Sequence, residues 1–374
     1  MENPLKALVF RMQLFKPSET FIAEQTAALP TASALLMGRK LFGKPDTRLA
    51  HFCPKETRLG ALRLVVAGDV TPFMKPAKQF GATLIHAHFA IDGLYAQSLA
   101  NRLQIPLITT LHGFDITTKR VDFIRSGSPS LTRYALMQDR LKRQCSTFIC
   151  VSEFMRQQAL KAGFPETKLR KHFIGVDTTA FQPTVNTATQ PTLLHVARLV
   201  EKKGTSYLIR AFANVLKKIP DARLNIVGGG PLLHALQKLS AELGVEDSVV
   251  FHGVQPHAFV RTLLTQSSAL VLPSVTAANG DAEGLGMVLL EAAATGLPTI
   301  GTRHGGIPEA VRDGETGLLV QERNVDQLAD AMFTLLCDSA LRQRMGTQAR
   351  QMVEGEFDIV KQSRELETIY QSAS

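Results

Sequence analysis

Features that would assign the chain to several large protein classes are scarce or missing. Only four cysteines occur in 374 residues, Cys53, Cys145, Cys150 and Cys337. They show neither metal-ligand spacing nor a secreted disulfide framework, so reduced structural thiols in a reducing compartment are expected. No stretch approaches the roughly 18 uninterrupted apolar residues of a membrane-spanning helix. Met-Glu-Asn-Pro leads straight into the apolar run KALVF, with no basic-then-apolar leader. These absences point to a cytoplasmic chain that is neither exported nor membrane-spanning. Low-complexity sequence is also lacking, and 45% hydrophobic with 20% charged residues is the composition of a folded protein. At about 150 residues per domain the length predicts two domains rather than one core.

Positive charge is plentiful but unevenly placed. The net charge is +9. Residues 1–181 hold 25 Lys+Arg against 13 Asp+Glu, and residues 182–374 hold 17 against 20, giving +12 and −3. Such asymmetry suggests that the first half faces an anionic partner: lipid headgroups, a phosphate-bearing acceptor or nucleic acid. A basic surface kept for solubility is the plain alternative.

From residue 192 the runs TLLHVA, RLNIVG, VVFHG, ALVLPS and PTIGT alternate with helical stretches at 204–218, 231–243 and 286–295. That alternation reads as a doubly wound α/β domain with a parallel sheet. The first half repeats the style more loosely, with KALVF, LRLVVA, TLIHAHF, PLITTLH and TFICVS as its apolar runs. The fold class expected is therefore α/β, two Rossmann-like halves, residues 1–180 and 190–357, facing across a cleft. A linker containing Pro183 and Pro191 is expected near residues 180–191. In such sheets ligands lie beyond the carboxyl ends of the strands, which directs attention to the residues just after each run.

Arg198 and Lys203 follow TLLHVA in ARLVEKKG, a fork donor and a point charge suited to a diphosphate, or else solvated charges in a surface turn. GGGPLLHAL supplies Gly228 and Gly230 of a dinucleotide fingerprint, but its third position is Leu233, so nicotinamide binding is not expected. The loop, Gly229 included, reads as a tight turn, with Pro231 starting the next helix. After ALVLPS comes GDAEGLGMVLLEAAATG, where Gly286, Met287 and Val288 offer amides at a helix start and Glu283 sits at its mouth. Glu291 lies about five residues, roughly 7 Å, further along, so the two carboxylates address different parts of an extended, hydroxyl-rich ligand. The alternative for Glu291 is a buried arginine partner or a loop cap. RHGGIPE, with Gly305 and Gly306, reads as a structural turn. In the first half His86 and His88 share a strand face, as metal ligands or, more commonly, as core histidines. His112 falls just past a strand, and Asp115 reads as the N-cap of the helix after it.

EGLGMVLLEAAATGLPTIGTRHGGIPE resembles the E-x7-E signature of retaining family 4 glycosyltransferases with the GT-B fold. ARLVEKKG, NIVGGGP, FHGV, HGFD and GVDTTAF fall in that family's order, and SETFIAEQ with SVTAANGDAEG is similar to bacterial exopolysaccharide transferases of the colanic acid type. The resemblance implies hexosyl transfer from a UDP- or GDP-sugar to a saccharide or polyprenyl-linked acceptor in cell-surface polysaccharide synthesis. No metal or resident cofactor is implied, and the nucleotide-sugar donor is a substrate. It further implies that Arg198 and Lys203 hold the diphosphate, Glu291 the ribose hydroxyls and Glu283 hydroxyls of the donor sugar. By the same carry-over Gly229 and backbone near Val254 meet the nucleotide, His112 lies near the anomeric centre, and residues 358–374 return to the N-terminal domain. One departure stands out: the loop RMQLFKPSET lacks the paired glycines of many relatives, leaving Ser18, Glu19 and Thr20 for that contact. Together with the basic half, the resemblance suggests an acceptor presented at the inner face of the plasma membrane and no nucleic-acid partner. The rival readings are a non-catalytic nucleotide-sugar-binding regulator, a nucleic-acid-binding protein, and an epimerase or phosphorylase on the same architecture.

Overall fold

A computed structural model of the chain describes residues 5–55, 57–183 and 190–373. Of the linker expected near residues 180–191, residues 184–189 lie outside the described residues. The fold comprises two compact units, Met1–Gly175 with Ile359–Ser374, and Val176–Asp358.

The first unit holds a seven-stranded parallel sheet in the order Ala50–Phe52, Ser33–Met37, Lys6–Phe10, Leu84–His88, Leu107–Leu111, Thr147–Cys150, Leu169–Lys171. Leu84–His88 and Leu107–Leu111 are buried at every position, which is why they read as continuous apolar runs rather than alternating ones. Chain order reverses between Lys6–Phe10 and Leu84–His88, the Rossmann arrangement. One expected strand is not a strand. LRLVVA falls in a helix, Arg58–Leu62, continued by a π-helical turn, Arg63–Ala67. Thr57 accepts a hydrogen bond from the Gly60 amide at the start and Gly68 closes the end at φ 71, so local capping overrides the β preference of Val65 and Val66. The sheet positions go instead to Ser33–Met37 and Ala50–Phe52.

The final helix, Ile359–Ala373, belongs to this first unit. Leu366 and Tyr370 join Ala7, Leu84, Ile108 and Ile149 in one buried cluster. Its polar side is equally engaged. Glu367, only 5% exposed, accepts hydrogen bonds from the main-chain amides of Thr31 and Ala32 and from the Thr31 hydroxyl.

The second unit repeats the plan with a six-stranded parallel sheet in the order Val249–Phe251, Arg223–Val227, Thr192–Val196, Ala269–Leu272, Thr299–Thr302, Gly317–Val320. Helix Thr205–Leu216 buries Leu208, Phe212 and Val215, and helix Val325–Cys337 buries Leu328, Met332 and Leu335; all six lie in one core cluster with Leu193 and Leu224 of the sheet. Their three- and four-residue spacings are those of one helix face. The other expected helices are Leu233–Glu242 and Met287–Ala294. The first starts two residues after Pro231, because Leu232 N–H bonds to the Leu199 carbonyl and keeps Pro231 and Leu232 in the preceding turn. Among the described residues no helix is long and apolar enough to cross a membrane.

Removing the Glu367 carboxylate leaves two amides near the last helix without their acceptor. Glu367→Ala should destabilise the first unit by roughly 2 kcal/mol or more, against almost none for exposed Thr368→Ala, as read from thermal unfolding.

Candidate active site

In the second unit chain order reverses between the adjacent strands Thr192–Val196 and Ala269–Leu272. Loops leaving the carboxyl ends of two such strands diverge and leave room for a ligand. Lys203 comes from the first loop and Glu283 from the second, and Lys203 Nζ lies 2.5 Å from Glu283 Oε2. Both side chains are largely enclosed, at 14% and 11% exposure. Burial alone would raise the Glu283 carboxyl, but the ammonium groups of Lys203 and Lys202, with hydrogen bonds from Lys203 and Ser274, outweigh it and hold the pKa at about 2. Burial pulls Lys203 below the usual lysine range, Glu283 opposing and the neighbouring Lys202 and Arg198 assisting.

The backbone of Glu283 is gripped as tightly as its side chain. Its amide donates to His304 Nε2 at 3.1 Å, and its carbonyl accepts from Gly306 N–H at 3.0 Å. His304 therefore carries its proton on Nδ1, which lies 2.9 Å from Glu322 Oε1. Gly305 has φ 58, and a Cβ there would stand 2.2 Å from the Glu283 carbonyl oxygen. RHGG is thus a turn, as expected, whose glycines let it close on Glu283. Lys202, 7% exposed, ties the same loop through Asp281 at 2.9 Å, while Ser274 Oγ donates to Glu283 Oε2 at 3.2 Å. Lys202, Ser274, Asp281, His304 and Glu322 escaped the sequence reading, although each lies beside a loop that it had singled out.

Past Glu283, Gly286 at φ 88 opens the eight-residue helix Met287–Ala294. The first amides of a helix have no partner inside it, so Gly286, Met287 and Val288 present donors at this start. Glu291 is half-buried on that helix; burial raises its pKa, with the charge of His257 opposing. Among the described residues no arginine or lysine forms an ion pair with it, which sets it apart from Glu283. Arg198 is exposed at the carboxyl end of Thr192–Val196. Gly229 and Val254 adjoin: a Cβ on Gly229 would be 3.0 Å from Val254 Cγ2, and Val254 is 65% exposed. The glycines beside Gly229 serve the fold, since Cβ atoms on Gly228 and Gly230 would meet the carbonyls of Ala197 and Leu199 at 1.8 and 2.4 Å. Arg198, Lys203, Gly229, Val254, Glu283 and the start of the Glu291 helix thus share one end of one sheet.

His112 and Thr20 belong to the first unit. Asp115 proves not to be an N-cap. Gly113 caps the helix Phe114–Thr117, and the buried Asp115 carboxylate accepts from the amides of His112, Gly113 and Ala90, joining the ends of two adjacent strands. The His112 ring packs 4.4 Å from Phe89 and 5.1 Å from Phe21, centre to centre, and its Nε2 lies 3.1 Å from His88 Nδ1. Burial, then the charge of Arg11, pushes its pKa well below the histidine range. His86 bonds Tyr370 and Thr110 at 2.7 Å each and is buried, with its pKa near 3 for that reason first. His86 and His88 are connectors within the core, and among the described residues no three His, Cys, Asp or Glu side chains cluster as metal ligands. The glycine-free loop is held by Arg11, which bonds Glu19 through Nε at 2.8 Å and Nη2 at 2.9 Å and pairs with Asp92. Arg11 and Asp92 went unnoticed in the sequence although both sit just past the two strands where order reverses.

The Glu283 pair carries a signature in acid. A folded pKa near 2 against an ordinary 4.5 stabilises the native state above pH 4.5, and that contribution disappears as pH falls through 2. Glu283→Gln should be less stable than the parent at neutral pH, with the gap in unfolding free energy closing as the pH is lowered over this window. A gap independent of pH would show that the carboxylate is not ion-paired.

Known proteins show which family the chain is related to. The model for glycosyl transferases group 1 matches residues 176–352, and that for glycosyltransferase family 4 matches residues 45–180. WcaL of Escherichia coli K12, which carries the name of a colanic acid biosynthesis glycosyltransferase, is 32% identical over 302 residues, covering 79% of this chain and 72% of WcaL. The amylovoran biosynthesis glycosyltransferase AmsK of Erwinia amylovora is 30% identical over 329 residues, covering 83% and 78%. Among solved structures, Anabaena HepE in complex with UDP-glucose superimposes with a TM-score of 0.80 at 21% identity, covering 98% of this chain and all of HepE's at 100%. Two Rossmann-like units, matched family models on both and relatives along most of the length lead to one conclusion: the chain belongs to the group 1 glycosyltransferases and has the GT-B fold.

Proposed function

We propose that the protein is a retaining, metal-independent transferase that moves a hexosyl group from a UDP- or GDP-sugar to a saccharide or polyprenyl-linked acceptor in cell-surface polysaccharide synthesis. The observation that carries this reading is the Lys203–Glu283 pair at the point of strand-order reversal. A diphosphate needs cations and a sugar needs acceptors for its hydroxyls, and here one of each stands within 2.5 Å. The relatives support it: one 35% identical over 222 residues is a GDP-mannose-dependent mannosyltransferase of Mycolicibacterium smegmatis, and HepE binds UDP-glucose.

On this reading the second unit binds the donor and the first binds the acceptor. Arg198 and Lys203 hold the diphosphate, helped by the amides of Gly286, Met287 and Val288. Glu291 takes the ribose hydroxyls, Glu283 those of the sugar, and Gly229 with Val254 lies along the nucleotide. As the sugar–phosphate bond breaks, electrons pass to the leaving diphosphate, whose growing negative charge meets Arg198, Lys203 and those amides. Positive charge grows on the sugar ring, beside which a neutral imidazole is tolerated and an imidazolium is not; His112, with its depressed pKa, supplies the former. Thr20 opens the helix Thr20–Ala27 after the glycine-free loop and is assigned to donor contact there. The acceptor hydroxyl attacks from the face the diphosphate leaves and passes its proton to the departing phosphate oxygen as the glycosidic bond forms, which preserves the anomeric configuration without a covalent glycosyl-enzyme. The basic first unit meets an anionic membrane surface on the cytoplasmic side, where a lipid-linked acceptor would be presented.

Incubation with a panel of UDP- and GDP-sugars, followed by mass spectrometry, tests the reading. Turnover of one donor is expected, and tight binding without any turnover would refute catalysis. Lys203→Ala should lower kcat at least about tenfold with the fold intact, since losing one such donor typically costs ~3–4 kcal/mol of transition-state stabilisation. Near-normal turnover would remove Lys203 from the diphosphate site.

A further inference from the structure

Residues 58–67 form a helix that turns its apolar stripe outward. Arg58–Leu62 contains no buried residue, and Leu59, Leu62 and Val66 are 58%, 57% and 52% exposed. Spacings of three and four put these side chains on one side of a helix. The segment is nevertheless firmly attached: Leu64 is buried, Tyr95 Oη donates to the Val65 carbonyl at 3.0 Å, and Arg133 Nη1 donates to the Val66 carbonyl at 2.5 Å. Leu136, one turn beyond Arg133 on helix Pro129–Gln144, is 64% exposed. A tethered helix with its leucines outside is not a core element packed badly, because its own inward contacts are made.

Charge decides what would cover it. Lys55, Arg58 and Arg63 are exposed along the same segment, whose sole acid in residues 55–67 is Glu56. Among the described residues nine of the eleven exposed large apolar side chains lie in the first unit, and the sequence up to residue 181 carries the +12 excess. Leucines on one helix side flanked by arginines suit the boundary between anionic headgroups and acyl chains. We propose that residues 58–67, with Leu136, dock the protein on an anionic lipid bilayer, the leucines entering the interface and Arg58 and Arg63 meeting lipid phosphates. This deepens the membrane contact proposed above and rests on that reading only for its purpose.

The chain contains no tryptophan, so Leu62→Trp supplies a single indole at the surface in question. Its emission should shift to the blue with phosphatidylcholine vesicles containing phosphatidylglycerol, and binding should weaken with salt and with phosphatidylcholine alone. The double variant Leu59→Ser/Leu62→Ser should lose roughly tenfold or more of its partition into anionic vesicles. Its circular dichroism melt and its turnover of the nucleotide-sugar donor should match the parent. Unchanged indole emission, equal partition of the double variant, or a leucine-dependent dimer in sedimentation velocity without vesicle binding would overturn the proposal. Vesicle binding without turnover of any donor would instead sink the transferase reading and leave this surface standing.

Discussion

A lysine and a glutamate held 2.5 Å apart, on loops that leave two neighbouring central strands, set the character of the second unit. Two enclosed charges are costly to take out of water, and their mutual attraction offsets that only when the remaining donors and acceptors are matched. The surroundings do this. Ser274 takes the Glu283 carboxylate, Lys202 and Asp281 brace the loop, and His304 with Gly306 fixes both main-chain groups of Glu283. A site built this way keeps a cation and an anion poised side by side in a position where solvent would otherwise separate them.

Much of the fold was legible because parallel sheets bury their strands on both faces and so write uninterrupted apolar runs. KALVF, TLIHAHF and PLITTLH all fell on strands. LRLVVA failed because composition cannot tell a buried strand from a short helix, and the caps at Thr57 and Gly68 decided the matter. Ser33–Met37 went unseen for a similar reason: preceded by Pro30 and Thr31 and followed by Gly38, its five residues carry no β-branched side chain. Arg198, Lys203 and Glu283 stood out in the sequence because they lie in glycine-marked loops after strands. His304 and Glu322 could not, since a residue that acts by gripping another residue's backbone leaves no motif of its own. Asp115 was misread for the same cause, its three amide partners being scattered over two strand ends.

The first unit repeats the electrostatic plan at its own point of strand reversal. Arg11 follows Lys6–Phe10, Asp92 follows Leu84–His88, and the two are paired just as Lys203 and Glu283 are. The repetition has a simple origin: where neighbouring crossovers part, two loops face each other with main-chain donors and no sheet partner, and opposite charges settle there readily.

What differs is how each cation is used. Burial would lower the Arg11 pKa, but Asp92 and Glu19 overcome it and raise it, and the guanidinium also lies 4.4 Å over the Phe89 ring. Its fork is spent on two carboxylates and an aromatic face, which makes it a clamp for the glycine-free loop. Lys203 has a single acid beside it, and burial, assisted by the like charges of Lys202 and Arg198, pulls it below the ordinary lysine range. On the proposed reading an incoming diphosphate would bring its negative charge to Arg198 and Lys203, and Glu283 would turn to hydroxyls. The same topological position therefore sets a cation between two carboxylates in one unit and beside a single one in the other, and the difference lies in how many acids each cation can reach.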